Sequence, residues 1–177
     1  MLLIKNGCIH DAVSREPYIA DIMVENGKIT AINTGTMLSG ALPDSMDNCE
    51  AEVLDIKGLN VYPGLVDAHS HLGLDGYAIG FESQDYNEMN DIVTPQLRAI
   101  DGFYPQDETV KLAREGGVTC VGTGPGSSNV LGGMFMAVKT YGHRVDDMVV
   151  KFPVAMKCAF CLLYTSDAAD DLIGGDL

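Results

Sequence analysis

A chain of 177 residues, 46% hydrophobic and 20% charged, has the make-up of a folded domain with enough mass for a core. Its 11 Lys and Arg against 25 Asp and Glu give a net charge of −14, which excludes nucleic acid and anionic membrane as expected partners, because phosphate binding needs basic patches. No apolar run approaches the ~20 residues of a membrane span, and Met1-Leu2-Leu3-Ile4-Lys5-Asn6-Gly7 lacks the basic region and long apolar core of a secretory signal.

Residues 2–34 read as strands and hairpins. Leu2-Leu3-Ile4 leads through Asn6-Gly7 into Cys8-Ile9-His10, and two further apolar runs, 19–24 and 28–32, flank Glu25-Asn26-Gly27. Asn-Gly between such runs is the strongest short hairpin signal. His10, beside Asp11, is either an exposed strand-end histidine or a ligand. Residues 35–51 are rich in turn formers, and 52–56 read as another strand closed by Lys57-Gly58. The five cysteines are scattered and odd in number, which fits reduced thiols in the cytoplasm better than a disulfide framework.

The stretch Val61-Tyr62-Pro63-Gly64-Leu65-Val66-Asp67-Ala68-His69-Ser70-His71-Leu72 is an apolar run that delivers an Asp and two histidines. In an extended chain alternate side chains share a face, so His69 and His71 are expected to project the same way. Two imidazoles so placed suit a borderline metal such as zinc. Asp67, on that same face, would orient a ligand. A bare H-x-H also occurs in exposed turns without a metal; the full Pro-Gly-Leu-Val-Asp-Ala-His-Ser-His context is far more specific.

Residues 73–106 read as irregular and hold Glu82, Asp85, Glu88, Asp91 and Asp101, either a solvated acidic loop or part of a substrate rim. Asp107-Glu108-Thr109 opens a helix that runs to about Glu115 and ends at Gly116-Gly117. Val118 to Gly122 is the next strand. Strand, loop, helix, strand across 61–122 make one β/α unit of a parallel sheet, an α/β fold. The loop Gly124-Pro125-Gly126-Ser127-Ser128-Asn129 permits close backbone approach. Ser127 and Asn129 would offer a hydroxyl and an amide to a substrate, unless the loop is only a tight turn. It lacks the lysine and spacing of a phosphate-binding loop. Residues 134–138 and 148–150 read as short strands around a polar turn with an exposed His143. Residues 153–160 read as a buried strand in which Lys157 either snorkels outward or serves a site.

The stretch around His69 and His71 resembles the first-strand signature of the amidohydrolase superfamily, metal-dependent hydrolases built on a (β/α) barrel. Residues 93–101 and 122–130 resemble its imidazolonepropionase-like subgroup. The resemblance covers residues 1 to about 160. It implies the N-terminal part of a (β/α)8 barrel preceded by a small β-sandwich, both incomplete, since a whole barrel takes ~250 residues. Residues 1–59 would be the small domain and 60–160 the first β/α units. The implied reaction is hydrolysis of a non-peptide or dipeptide-like C–N bond, a cyclic amide among them, in a small-molecule substrate. The implied cofactor is a divalent metal, zinc foremost, as one or two ions. Such a metal polarises a carbonyl and lowers the pKa of water to about 7. His69 and His71 would be two of its ligands, and Lys157, matched to the carbamylated strand lysine of some members, is a candidate bridge between two metals. The base and the remaining ligands are expected in sequence beyond this chain, so the fragment by itself is expected to be inactive. A deaminase or dihydroorotase-like reaction, and a non-catalytic β-rich binding module, stand as alternatives; a homo-oligomer of the full-length parent stays open.

At Cys161 the resemblance stops. Cys161 to Asp170 read as the translation of a transposon-type sequencing adapter, TGT CTC TTA TAC ACA TCT GAC GCT GCC GAC. Residues 161–177 are therefore expected to be an artefactual tail with no evolved packing partner. The C-x-x-C formed by Cys158 and Cys161 carries no weight as a redox or zinc motif on this reading.

Overall fold

A computed structural model describes residues 1–35, 52–76 and 80–159. The turn-rich reading of 36–51 and the expected tail at 161–177 lie outside the described residues. The chain divides into two compact units, Met1–Pro63 and Gly64–Leu177. The division falls later than the expected boundary at residue 59, because Asn60 and Val61 pair with Cys8 and Ile9 of the first strand.

In the first unit, β1 (Leu2–Ile9), β2 (Tyr18–Glu25), β3 (Lys28–Asn33), β4 (Glu52–Asp55) and β5 (Asn60–Val61) form one sheet. Its order is β3-β2-β1-β4, with β5 also on β1. The β2–β3 hairpin closes where Glu25 faces Lys28, and Asn26 and Gly27 both have positive φ, 50° and 72°. A two-residue turn of that hand matches the twist of the strands it joins, which is why Asn-Gly was so legible. Ile9, Ala20 and Ile22 are buried on one face, with Ile4, Tyr18, Val24 and Val61 packed around them. A second sandwich layer is not among the described residues.

In the second unit, β6 (Leu65–Ser70), β7 (Val118–Thr123), β8 (Leu131–Lys139) and β9 (Val149–Cys158) lie in the order β6-β7-β8-β9. Between them come α1 (Ala99–Gly102), α2 (Glu108–Glu115) and α3 (Val145–Met148). β6 and β7 are parallel with α2 on the crossover, as the β/α reading requires. The Asp107 carboxylate caps α2 by accepting from Thr109 N at 2.8 Å, satisfying one of the orphan donors of the first turn. Val110 on α2 is only 1% exposed and packs with Val121, Met136, Val138 and Met148. Burying a valine so fully is worth about 1.5–3 kcal/mol.

Several expectations change here. β8 and β9 are antiparallel to their neighbours, so the parallel pattern holds only for β6 and β7 among the described residues. Met148, expected to open a short strand, instead ends the helix Val145–Met148, and β9 then runs unbroken through residues 149–158, with Val154 and Met156 each 41% exposed and not buried as expected. Pro153, which has no N–H to donate, is tolerated because β9 pairs on one side only among the described strands. The stretch 73–106 is less irregular than expected. It holds α1 and is tied to β8 by bridges from Val93 to Leu131 and from Arg98 to Met134.

Candidate metal centre

β6 brings its two histidines to the end of the second sheet, though not by simple alternation. Asp67 pairs with Val121 and Ser70 with Thr123, so the register shifts between them. Three steps of β6 thus match two of β7, and the rule that places Asp67 and His69 on one face does not carry through. His71 lies just past the strand. The Thr123 hydroxyl, fully buried, donates to Leu72 O at 2.8 Å and pins the chain there.

The two imidazoles nevertheless converge, with ring centroids 5.5 Å apart and planes nearly perpendicular. His71 Nδ1 donates to the Gly124 carbonyl at 2.7 Å, which fixes the tautomer and leaves Nε2 with its lone pair free. Lys157 Nζ, from β9, lies 3.3 Å from His69 Nε2. Burial, then the charges of Lys157 and His71, hold His69 below the ordinary imidazole value, with Asp67 opposing. Burial also lowers the Lys157 ammonium from its usual range. Both groups are thereby shifted toward the neutral, lone-pair-bearing form that a metal ligand requires.

Asp67 and Asn129 do not take the parts expected of them. Asp67 Oδ1 accepts from the backbone N–H of His69 at 3.1 Å, so its recorded bond is to main chain and not to an imidazole. Asn129 is 2% exposed, and its amide donates to Glu88 O at 2.8 Å and Asp91 O at 2.7 Å. It clamps the preceding loop and has no surface to offer a substrate; its own Oδ1 has no recorded partner. Ser127 is half-buried in the same loop. Two of the loop carboxylates are engaged elsewhere: Asp101 forks onto Arg98 at 2.6 and 2.8 Å, and Glu88 accepts from Asn90. His143 is exposed, as expected. His10 belongs to the other unit, where its Nε2 meets Asn60 Oδ1 at 3.0 Å.

A cavity of about 210 Å³ lies beside the imidazoles and not at them. Leu74, Tyr86, Leu97, Arg98, Pro125 and Gly132 are among its walls. It touches the histidine cluster through Tyr86, which stacks on His71 with centroids 5.3 Å apart. It nears Lys157 through Gly132, where a Cβ would sit 3.4 Å from Lys157 Cγ.

Neither Tyr86 nor Phe135 was expected at the site. Phe135 stacks on His69 at 5.4 Å, and its sequence context is that of any apolar strand residue. The glycines of the loop were the available signal. A Cβ on Gly124 would run into the Phe135 ring, so only glycine lets the Gly124 carbonyl reach His71 at this spot.

The two histidines fit the nitrogen half of a zinc site, since imidazole nitrogens suit this metal. No group of three or more His, Cys, Asp or Glu side chains gathers among the described residues, so the two histidines are one short of the three protein ligands usual for catalytic zinc.

No family model matches the chain. Over 129 residues it is 34% identical to amidohydrolase tasK of Hapsidospora irregularis, a stretch that is 73% of this chain and 12% of that protein. Over 101 residues it is 33% identical to the N-substituted formamide deformylase of Arthrobacter pascens, covering 56% of this chain and 16% of that one. The solved amidohydrolase from Thermotoga maritima MSB8 matches with a TM-score of 0.80 and 35% identity, over 94% of this chain and 42% of that structure. The chain belongs to the amidohydrolase superfamily. The chain spans 42% of that solved relative and 12% to 16% of the two curated ones. No described helix is long and apolar enough to cross a membrane.

Proposed function

We propose that this chain is the front part of a metal-dependent amidohydrolase that hydrolyses a non-peptide or dipeptide-like C–N bond in a small molecule, a cyclic amide among the candidates. The names of its relatives support the bond class: one acts on N-substituted formamides, and another, 37% identical over 76 residues, is a dihydroorotase of Syntrophus aciditrophicus. The observation that carries the reading is the bond from His71 Nδ1 to Gly124 O. A backbone carbonyl behind one ring nitrogen is the usual way a metal-binding histidine is oriented and its other nitrogen made more basic.

In this reading His69 and His71 hold a divalent metal, zinc foremost, through Nε2. When bound, such a metal supplies Lewis acidity toward a carbonyl oxygen and toward water. The remaining ligands, the general base, and the strands that close a (β/α)8 barrel and complete a small β-sandwich would come from sequence beyond this chain. The 177 residues alone would then be inactive. Ser127 remains a candidate for substrate contact.

Lys157 fits the role of a bridging group between two ions once modified. Its neutral amine would add to carbon dioxide, forming an N–C bond and releasing a proton, and would become an anionic carbamate. The change replaces a cation that competes for His69 Nε2 with an oxygen donor. The lowering of this half-buried ammonium by its partial desolvation supports this, because only the free amine reacts.

The test is elemental analysis and turnover of the uninterrupted parent protein carrying His69→Ala or His71→Ala. Each variant is expected to lose most bound metal and most activity. Metal content unchanged in both would remove the histidines from the site.

A further inference from the structure

β8 has two unlike faces. Met136 and Val138, both 0% exposed, point into the apolar core with Val110 and Met148. Phe135 is just as hidden, at 5% exposure, yet it is absent from that cluster. Its ring meets His69 in a stack at 5.4 Å and 23°, and His71 edge-on at 6.5 Å and 64°. Lys157 Nζ lies over it, 6.0 Å from the centroid. We propose that Phe135 is a positioning residue for the metal centre, the common floor on which His69, His71 and Lys157 are set. This rests on the reading of the two histidines as ligands.

The sheet order makes such a floor necessary. β6 and β9 are the outer strands, with β7 and β8 between them. Strands pack about 4.8 Å apart, so the two outer backbones would lie roughly 14 Å from each other in a flat sheet. His69 and Lys157 still approach to 3.3 Å, reaching toward each other over the strands between. A buried ring on β8 fills the space beneath them and denies it to water. Its face attracts the lysine ammonium and stacks on the imidazole.

The ring is itself locked in place. The Cα of Gly124 packs against it, and the Gly124 carbonyl is the acceptor for His71 Nδ1. One backbone group therefore fixes both the floor and the ligand. Because the groups behind metal ligands set their direction, losing one typically costs 10–100-fold in metal affinity.

The experiment titrates Co(II) into the uninterrupted parent protein, which supplies the remaining ligands, reading affinity and the visible d–d spectrum, in the wild type and three variants. Phe135→Leu keeps an apolar side chain and removes the ring. Phe135→Tyr keeps the ring. Met136→Leu disturbs the opposite, core-facing side of the same strand. Phe135→Leu is expected to bind Co(II) about 10–100-fold more weakly with an altered spectrum, while Phe135→Tyr and Met136→Leu bind as the wild type does. Wild-type affinity and spectrum in Phe135→Leu would overturn the inference and leave the histidine ligands standing. Failure of the wild type to bind Co(II) would overturn the ligand reading and the inference with it. Should Phe135→Leu not fold, proton NMR of the unaltered chain decides: cross-relaxation between the Phe135 ring and both imidazole rings is expected, and its absence refutes the placement.

Discussion

Each unit of this chain has a histidine at a strand end, and the two spend their nitrogens differently. Just beyond β1, His10 gives its Nε2 proton to Asn60 Oδ1 at 3.0 Å and stacks on Tyr62 with centroids 4.3 Å apart. Just beyond β6, His71 gives its Nδ1 proton to a backbone carbonyl at 2.7 Å, and a second imidazole and a lysine amine stand nearby. His10 has Cys8 Sγ at 3.8 Å, facing the nitrogen already used for Asn60. The neighbouring carboxylates differ as well. Asp11 accepts from Val13 N, Ser14 N, the Ser14 hydroxyl and Tyr18 Oη, whereas Asp67 accepts from His69 N. A histidine becomes a ligand candidate when its spare nitrogen is bare and shared with other donors; a strand-end position alone does not make it one.

The comparison is broken most strongly at Thr123. Its buried hydroxyl holds Leu72 O, next to His71. Thr123→Val keeps the shape and leaves that carbonyl without its donor, which costs about 1–3 kcal/mol. Denaturant unfolding should register this loss, and metal affinity should fall with it because the His71 turn is released. A stability loss without any change in metal affinity would mean that the turn does not orient His71.

A smaller effect is expected from His10→Ala. Removing the ring gives up one hydrogen bond and one aromatic stack, together about 1 kcal/mol, with metal affinity unchanged. Weaker metal binding in this variant would erase the contrast between the two strand ends.

The closeness of His69 and His71 was legible because it needs only neighbours in sequence, although the register shift after Asp67 means that simple alternation is not what brings the two rings together. The Asn26-Gly27 hairpin and the Asp107-capped helix were legible for the same reason. What escaped was non-local. The meeting of His69 with Lys157 joins residues 88 positions apart, and only the superfamily resemblance pointed to that lysine. Phe135 was invisible because a buried phenylalanine in a strand looks alike whether it packs on leucines or imidazoles. α1 is four residues long, too short to show a helical period. The antiparallel turn from β7 to β8 was readable in principle. The link from Thr123 to Leu131 is too short for a parallel crossover, which takes a dozen residues or more. The expectation of a regular barrel masked it.

The smallest expected effect belongs to Asp11 and sharpens the contrast by showing what a carboxylate used only for structure does. Backbone N–H groups of Ser14 and Val13 and the hydroxyls of Ser14 and Tyr18 hold the Asp11 carboxyl well below its ordinary value of 3.8, against a small opposing effect of burial. The folded state therefore binds this proton more weakly than the unfolded chain. Stability from Asp11 is fully present above pH 3.8 and is lost as the pH falls toward the depressed folded value. Tyr18 shows the other side of the same bond: its hydroxyl, donating to Asp11, is raised above 10.0. The folded state keeps that proton longer than the unfolded chain, so stability declines again as the pH rises past 10.0. Asp11→Asn removes the titrating carboxylate and should flatten the acid side of the first unit's stability profile and bring the Tyr18 titration back toward its ordinary value. Urea midpoints measured from about pH 5 down to pH 2, with ultraviolet titration of tyrosine, check both. The effect is modest because the carboxylate is exposed and screened by solvent. Equal acid slopes in wild type and variant would mean that the four bonds to Asp11 are not formed in solution.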